Sequence, residues 1–360
     1  MTGEASVDIR YASPSIAELS AAQDAAHAGA ESSAMVDPIA RDFLDRLAAA
    51  NGPNIEDMEP QAARAMSDPF LAQLGGPPPA VAAVEDRHIP GPRAPIHIRI
   101  YKPEGDAPFG VLVYFHGGGY VYGSVETHDS ICRLLANEGA CIVVSVDYGL
   151  APEYQAPAPF DDAFAATTWV VRNAASFGGD PSRVAVGGDS AGGSLAAQVC
   201  LAARDRGAPQ IVFQLLVYPG LDIDFTRQSY VDYGDGYLLT LGKIKWFLKH
   251  YIAADTDPDL PYLCPLRATT VAGLPPALII VAECDPIRDE GIAYARRLEA
   301  EGGPARLIQY EGQIHAFFSC LAVFPKARDA AAEAGAALRE AFGPESGGEP
   351  ASVRGLTSVT

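Results

Sequence analysis

After Pro79 the chain settles into an alternation of two textures, and that alternation limits the fold more than any other feature. Short unbroken apolar runs rich in Val and Ile, "GVLVYFHGG", "ACIVVSVDY", "RVAVGGDS", "QIVFQLLVYP", "PALIIVAECD" and "ARLIQYEG", are separated by stretches of helical period. Unbroken runs of this length suit strands covered on both faces, which is how strands sit in a parallel sheet. The helical stretches, "APFDDAFAATTWVVRNAASFGG", "SLAAQVCLAARDRG" and "RDEGIAYARRLEAEGG", stop at Gly178, Gly207 and Gly302, where a left-handed cap is expected. Strand alternating with helix predicts an α/β fold: a mostly parallel central sheet with helices on both faces. Such sheets bind ligands at the carboxyl ends of their strands.

Two regions depart from the rhythm. "AVAAVEDRHI" and "APIHIRIYKP", joined by a Pro-Gly-Pro turn, predict an antiparallel pair ahead of the parallel strands. From Leu221 to about Leu274 the chain is aromatic-rich and has no buried-strand run, only a helix-like piece over residues 244–251. This interval reads as an insertion above the sheet. A short amphipathic helix over residues 37–50, with Asp37 as N-cap and Pro38 in the first turn, is positioned to pack with it as a lid.

Composition narrows the partners. A formal charge of −19 argues against a nucleic-acid partner, whose phosphate backbone requires clustered Lys and Arg. The first residues, "MTGEASVDIR", lack the basic and apolar regions of a signal peptide, and no later apolar run reaches membrane-span length. The expectation is a soluble, cytoplasmic protein with no membrane partner. Six cysteines, Cys132, Cys141, Cys200, Cys264, Cys284 and Cys320, form no CxxC pair and several fall in apolar runs, so buried free thiols are expected. The histidines show no HExxH or HxxxH spacing, so no metal is predicted.

Chemistry concentrates around "RVAVGGDSAGGSLAAQ". Ser190 falls between a strand pattern and a helix pattern, the context of a nucleophile elbow. A sharp turn with positive φ at the serine leaves no room for side chains at Gly188 and Gly192, and the helix that follows aims its N-terminus at the site. A serine needs a base, and the base needs an orienting acid. Only His250 and His315 follow Ser190. His250 lies in the inserted segment beside Lys249 and Trp246, where a solvated histidine is the simple reading, whereas His315 follows the last strand-like run and is the expected base. Among Glu283, Asp285, Asp289 and Glu290, Asp285 stands where the apolar run stops and Pro286 turns the chain out of the strand. Asp285 is the expected orienter and Asp289 the runner-up; Asp289 and Glu290 sit where they would cap the next helix. Upstream, His116, Gly117, Gly118 and Gly119 end an apolar strand in the HGGG arrangement that supplies oxyanion donors, with the Ala191 N–H as the other donor. His116 is expected to fix this loop by a local hydrogen bond. A dinucleotide site at Gly117, Gly119 and Gly123 with Asp147 as the ribose acid fits poorly: the spacing is GxGxxxG, and Asp147 comes too late.

These motifs, HGGG, GDSAGG, "DPIRDEG" and the late histidine, resemble the α/β-hydrolase fold in its hormone-sensitive-lipase-like bacterial carboxylesterase family, from about residue 37 to 343. The resemblance implies a serine carboxylesterase that hydrolyses short-chain carboxylic esters through an acyl-enzyme, without cofactor, beneath a helical cap. It implies Ser190, Asp285 and His315 as the catalytic residues, with Gly118, Gly119 and Ala191 as the oxyanion hole. His116, Gly117, Gly188, Asp189 and Gly192 are the supporting motif residues. It divides the chain into a flexible segment 1–36, N-terminal cap helices 37–78, a catalytic domain 79–343 with a cap insertion at about 221–274, and a disordered tail 344–360. A homodimer joined through the final strand and helix matches the family habit. An amidase or lactonase with the same triad, or a non-catalytic small-molecule binding protein on this scaffold, are the other readings; retention of His315 argues against the last. Two departures lie beside the motifs: "YGLAPE" has Gly149 where the family often has arginine, and Ala316 follows His315 where it often has glycine.

Overall fold

The computed structural model describes residues 36–254, 256–257 and 262–343. The segment expected to be flexible, apart from Val36, and the tail expected to be disordered lie outside the described residues. Helix α1 (Pro38–Ala49) starts as the sequence predicts: the Asp37 side chain accepts from the Ile39 N–H at 2.9 Å, and Pro38 occupies a first-turn position where no N–H is needed. Helix α2 (Pro60–Gly75) follows. The hairpin of β1 (Ala83–Ile89) and β2 (Ile96–Lys102) is antiparallel, as expected. Then β3 (Phe109–Phe115), α3 (Asp129–Gly139), β4 (Ile142–Asp147), α4 (Ala158–Asn173), β5 (Gly179–Asp189), α5 (Ala191–Arg206) and β6 (Phe213–Val217) alternate. The interval after β6 carries α6 (Gln228–Tyr233) and α7 (Leu241–Tyr251), and β7 (Ala277–Cys284), α8 (Arg288–Ala300), β8 (Ala305–Ile314) and α9 (Pro325–Phe342) complete the chain.

The eight strands form one sheet in the order β1-β2-β4-β3-β5-β6-β7-β8. The β1 and β2 strands run antiparallel to their neighbours and the remaining six are parallel. The continuous apolar runs have the reason anticipated for them. Val111, Val113 and Phe115 of β3 enter one core with α4, α5 and α8, while Leu112 and Tyr114 of the same strand enter a second core with α3 and α9. Each face is roofed, so every position of the strand gains from being apolar, at about 1.5–3 kcal/mol for a fully buried Val or Leu. Gly178, Gly207 and Gly302 end their helical stretches with φ of 90°, 70° and 84°.

The inserted interval is more helical than its sequence suggests. Helix α7 begins at Leu241, where Thr240 caps it by accepting from the Lys243 N–H at 3.1 Å. The six residues of α6 have no amphipathic repeat to reveal them; tertiary bonds hold them instead, including Ser229 Oγ donating to Pro286 O at 2.6 Å. All six cysteines are buried and none forms a disulfide. Among the described residues, no helix is long and apolar enough to cross a membrane.

Candidate active site

Ser190 occupies the single residue between the end of β5 and the start of α5, with φ 55° and ψ −122°. A non-glycine residue at positive φ is strained, and here the surroundings hold it there: its N–H donates to Val217 O at 2.9 Å, and the flanking main chain closes around it. A Cβ at Gly188 would lie 2.5 Å from the Gly192 carbonyl group, and one at Gly192 would collide with the Phe115 carbonyl. The turn is therefore closed to any larger residue at either position.

Three strand ends bring the expected trio together. The Ser190 Oγ lies 2.9 Å from His315 Nε2, and His315 Nδ1 lies 2.7 Å from Asp285 Oδ2. An ionised carboxylate only accepts, so Nδ1–H donates to Asp285 and leaves the Nε2 lone pair for the serine hydroxyl. Asp285 is fully buried just beyond β7, and its other oxygen accepts from the Ile287 N–H at 3.0 Å. His315 follows β8 directly, with the Tyr218 ring 4.6 Å from its own. Asp289, the runner-up, is directed elsewhere: it accepts from the Ser229 N–H at 2.9 Å and from Arg288. Neither Asp289 nor Glu290 caps α8, contrary to expectation, since both carboxylates are drawn to the inserted interval. Glu290 is buried and accepts from the N–H groups of Leu221 and Asp222 and from the Tyr230 hydroxyl at 2.6 Å. Burial pushes its carboxyl up to about 8 against the pull of those hydrogen bonds.

The glycine loop follows β3. The Gly117 N–H is already engaged by Asp189 Oδ1 at 3.2 Å, whereas the N–H groups of Gly118 and Gly119 find no acceptor among the described residues. Gly119 has φ 60°, and a side chain there would strike the Phe247 ring. Ala191 opens α5, where an N–H has no partner within the helix. Buried His116 donates from Nδ1 to Gly117 O at 2.7 Å and stacks on Tyr148 at 4.3 Å. Burial, helped by nearby His128, draws His116 down to about 3, so it stays neutral and fixes the loop as expected.

A second carboxylate–histidine pair lies beneath this loop, and no motif in the sequence marks it. Asp189 receives the Tyr114 hydroxyl at 2.7 Å and stands 3.2 Å from His128 Nε2. Burial alone would raise the Asp189 carboxyl, but adjacent His128 and the hydrogen bonds from His128 and Tyr114 hold it below the usual carboxylate range. His128 stands alone in "ETHDS", outside any motif, and reaches Asp189 only through the fold.

Two cavities meet at Ser190. The larger, about 300 Å³, runs between the glycine loop, α1, α2 and α7; the smaller, about 80 Å³, is bounded by Tyr230, Tyr251, Leu263 and Ile287. Phe247 lines both. Of the aromatic residues noticed in the insertion, Tyr230 and Phe247 face these cavities, while Tyr233 and Trp246 are packed away from them. The two departures are local. The Gly149 N–H donates to Asp162 at 3.0 Å, and Arg93 supplies a guanidinium to that carboxylate at 2.7 Å; Ala316 adopts φ 68°.

A family model of the alpha/beta hydrolase fold matches residues 112–319. Carboxylic ester hydrolase LipN of Mycobacterium tuberculosis is 46% identical over 66% of this chain and 64% of its own length, so the chain spans just under two thirds of that relative. Esterase LipI of the same organism is 44% identical over 71% of this chain and 81% of its own. Among solved structures, ester hydrolase EH1AB1 from the metagenome of Lake Arreo, complexed with a bipyridine phosphonate derivative, superposes with a TM-score of 0.84. It is 42% identical over 86% of this chain and 99% of its own. A hyperthermophilic esterase from Pyrobaculum calidifontis gives 0.80 at 40% identity, over 85% and 98% of the two chains. With an eight-stranded, mostly parallel sheet and relatives of this kind, the chain belongs to the α/β-hydrolase fold, in its hormone-sensitive-lipase-like carboxylesterase family.

Proposed function

We propose that this chain is a serine carboxylesterase acting on short-chain carboxylic esters. The observation that carries the reading is the continuous line from Asp285 through His315 to the Ser190 hydroxyl, at 2.7 and 2.9 Å, beside N–H groups with no acceptor of their own. As Ser190 Oγ attacks the ester carbonyl carbon, His315 Nε2 takes its proton, and Asp285 stabilises the resulting imidazolium without itself being protonated. The Gly118, Gly119 and Ala191 N–H groups receive the developing oxyanion, each worth about 3 kcal/mol of barrier when aligned. The carbon–oxygen bond to the alcohol breaks, and His315 returns the proton to the leaving oxygen. Water then attacks the acyl-enzyme with His315 again as base, releasing the acid and Ser190.

The cavities support the size preference. One side of Ser190 offers only about 80 Å³, enough for a short group, while the other offers about 300 Å³ and is lined mostly by apolar residues. In this reading the segments 37–78 and 221–274 act together as the cap. Trp246 Nε1 donates to Met58 O at 3.2 Å and Thr240 Oγ1 to Glu56 at 3.2 Å, linking the two. Asp189 and His128 position the loop through the Gly117 N–H. Six buried cysteines outside any disulfide fit a cytoplasmic setting, and the outer edge of β8, with Leu307 38% exposed, suits a homodimer that sedimentation would detect.

The test is hydrolysis of p-nitrophenyl esters from acetate to decanoate. Turnover should fall as the acyl chain lengthens, and Ser190→Ala should lose about 10⁴-fold or more in kcat. Hydrolysis undiminished in the variant would sink the assignment.

A further inference from the structure

The larger cavity contains a feature that hydrolysis of a neutral ester does not use. Its walls are mostly apolar, with Met66, Phe70, Leu71 and Leu74 among them, yet Lys243 is also part of the lining. Among the described residues it is the only lysine or arginine there. Its Nζ donates one hydrogen bond, to Leu238 O at 2.7 Å, and forms no ion pair within 4 Å among the described residues. An ammonium has three N–H bonds, so two remain without a protein acceptor. Burial lowers its pKa from the ordinary lysine value, and the Glu56 carboxylate works in the opposite direction. Glu56 itself accepts from Thr240 Oγ1 at 3.2 Å.

Its place on α7 relates it to the reacting atoms. Lys243 and Phe247 are four residues apart and share a helical face, and the Phe247 ring packs against Gly119 of the glycine loop. Lys243 therefore branches from α7 one helical turn before the side chain that covers the oxyanion loop, and its Nζ reaches back to Leu238 O. A half-buried ammonium with spare donors in an apolar cavity is costly unless an anion or acceptor joins it. The net charge of −19 provides no general attraction for anions, so recognition of one must arise locally.

We propose that Lys243 is a specificity residue that binds a carboxylate carried by the substrate, at the far end of an apolar spacer from the scissile ester. The preferred substrates are then monoesters of dicarboxylic acids, or acyl esters of hydroxy acids. A single ammonium in apolar walls suits one monoanion on a flexible chain better than a multiply charged phosphate. This inference rests on the esterase reading above.

Two ester pairs test it, each differing only in its end group. Monomethyl adipate against methyl hexanoate puts the carboxylate on the acyl side, and 4-acetoxybutanoate against butyl acetate puts it on the alcohol side. In at least one pair, the carboxylate-to-neutral ratio of kcat/KM should fall about tenfold or more in Lys243→Met, mainly through KM, while Lys243→Arg keeps it within about threefold. A purely structural lysine would instead lower both members of each pair together and leave the ratio unchanged. Unchanged ratios in both pairs overturn the inference while leaving the esterase reading intact. If the wild type hydrolyses neither neutral ester nor p-nitrophenyl acetate, the esterase reading has failed and this inference falls with it.

Discussion

Two aspartate–histidine pairs flank Ser190, and they are alike in almost everything but their consequence. Asp285 with His315 and Asp189 with His128 are all buried, each aspartate ends or follows a parallel strand, and the pairs close at 2.7 and 3.2 Å. The difference lies in what else the pair touches. His315 turns its second nitrogen to the Ser190 hydroxyl, whereas His128 turns its own to the Thr127 hydroxyl, and the Asp189 carboxylate holds the Gly117 N–H. An acid and a histidine in contact do not make a catalytic pair. The group on the far nitrogen decides whether the pair can move a proton at the reacting atom or only hold main chain in place.

Removing one member of each pair in turn should separate these roles most widely. In Asp285→Asn the amide presents a donor or a weaker acceptor to His315 Nδ1, and the imidazole is stabilised in the wrong tautomer for accepting the Ser190 proton. A loss of about 10⁴-fold in kcat toward p-nitrophenyl acetate is expected, with little change in KM. A loss below tenfold would mean that His315 is oriented by something other than Asp285.

The matching change in the other pair should be much milder. His128→Gln removes the neighbour that does most to keep Asp189 ionised and disturbs the carboxylate that holds the Gly117 N–H. The oxyanion donors then lose alignment but not identity, so kcat should fall about tenfold with KM within about threefold. Because His315 and Asp285 are untouched, the midpoint of the kcat/KM–pH profile should stay where it is. A loss approaching that of Asp285→Asn, or a displaced midpoint, would break the distinction between the pairs.

The same contrast explains what could be read from the sequence. The Ser190 turn is a local structure: its steric demands fall on Gly188 and Gly192, two residues to either side, so the motif carries its own explanation. Asp285 was legible because it stands where an apolar run stops before Pro286, and His315 because it comes shortly after the last strand-like run. Five of the six parallel strands, β3 to β7, were legible for a related reason, since burial on both faces writes an unbroken apolar run. His128 left no such trace. Its partner is 61 positions away, and helix α3, which it precedes, lies between two stronger strand signals. Glu290 was misread because an acidic residue in the first turn of a helix has a sufficient local explanation; its actual partners, Leu221, Asp222 and Tyr230, are supplied by the insertion. Phe247 looked like any aromatic residue of a lid until the sheet, the glycine loop and α7 were assembled around it.

The backbone around the two histidines offers the finest comparison. His128 leads into α3 with an ordinary negative φ of −113°, but His315 is followed by Ala316 at φ 68° and ψ 3°. A left-handed alanine costs about 1–2 kcal/mol relative to the right-handed region, and glycine adopts the same geometry without that penalty. Part of the gain is lost because glycine makes the unfolded chain more flexible. Ala316→Gly should therefore stabilise the protein by about 0.5–1 kcal/mol, raising Tm by about 1–3 °C. The substitution also removes a methyl group from the wall of the larger cavity, next to His315. Thermal unfolding measured beside p-nitrophenyl acetate turnover separates the two effects. A rise in Tm with kcat reduced no more than about threefold identifies the strain as incidental to catalysis, whereas a rise in Tm with a larger loss shows that the alanine constrains the His315 ring. A fall in Tm would mean that the methyl group's packing in the cavity wall outweighs the strain of its backbone.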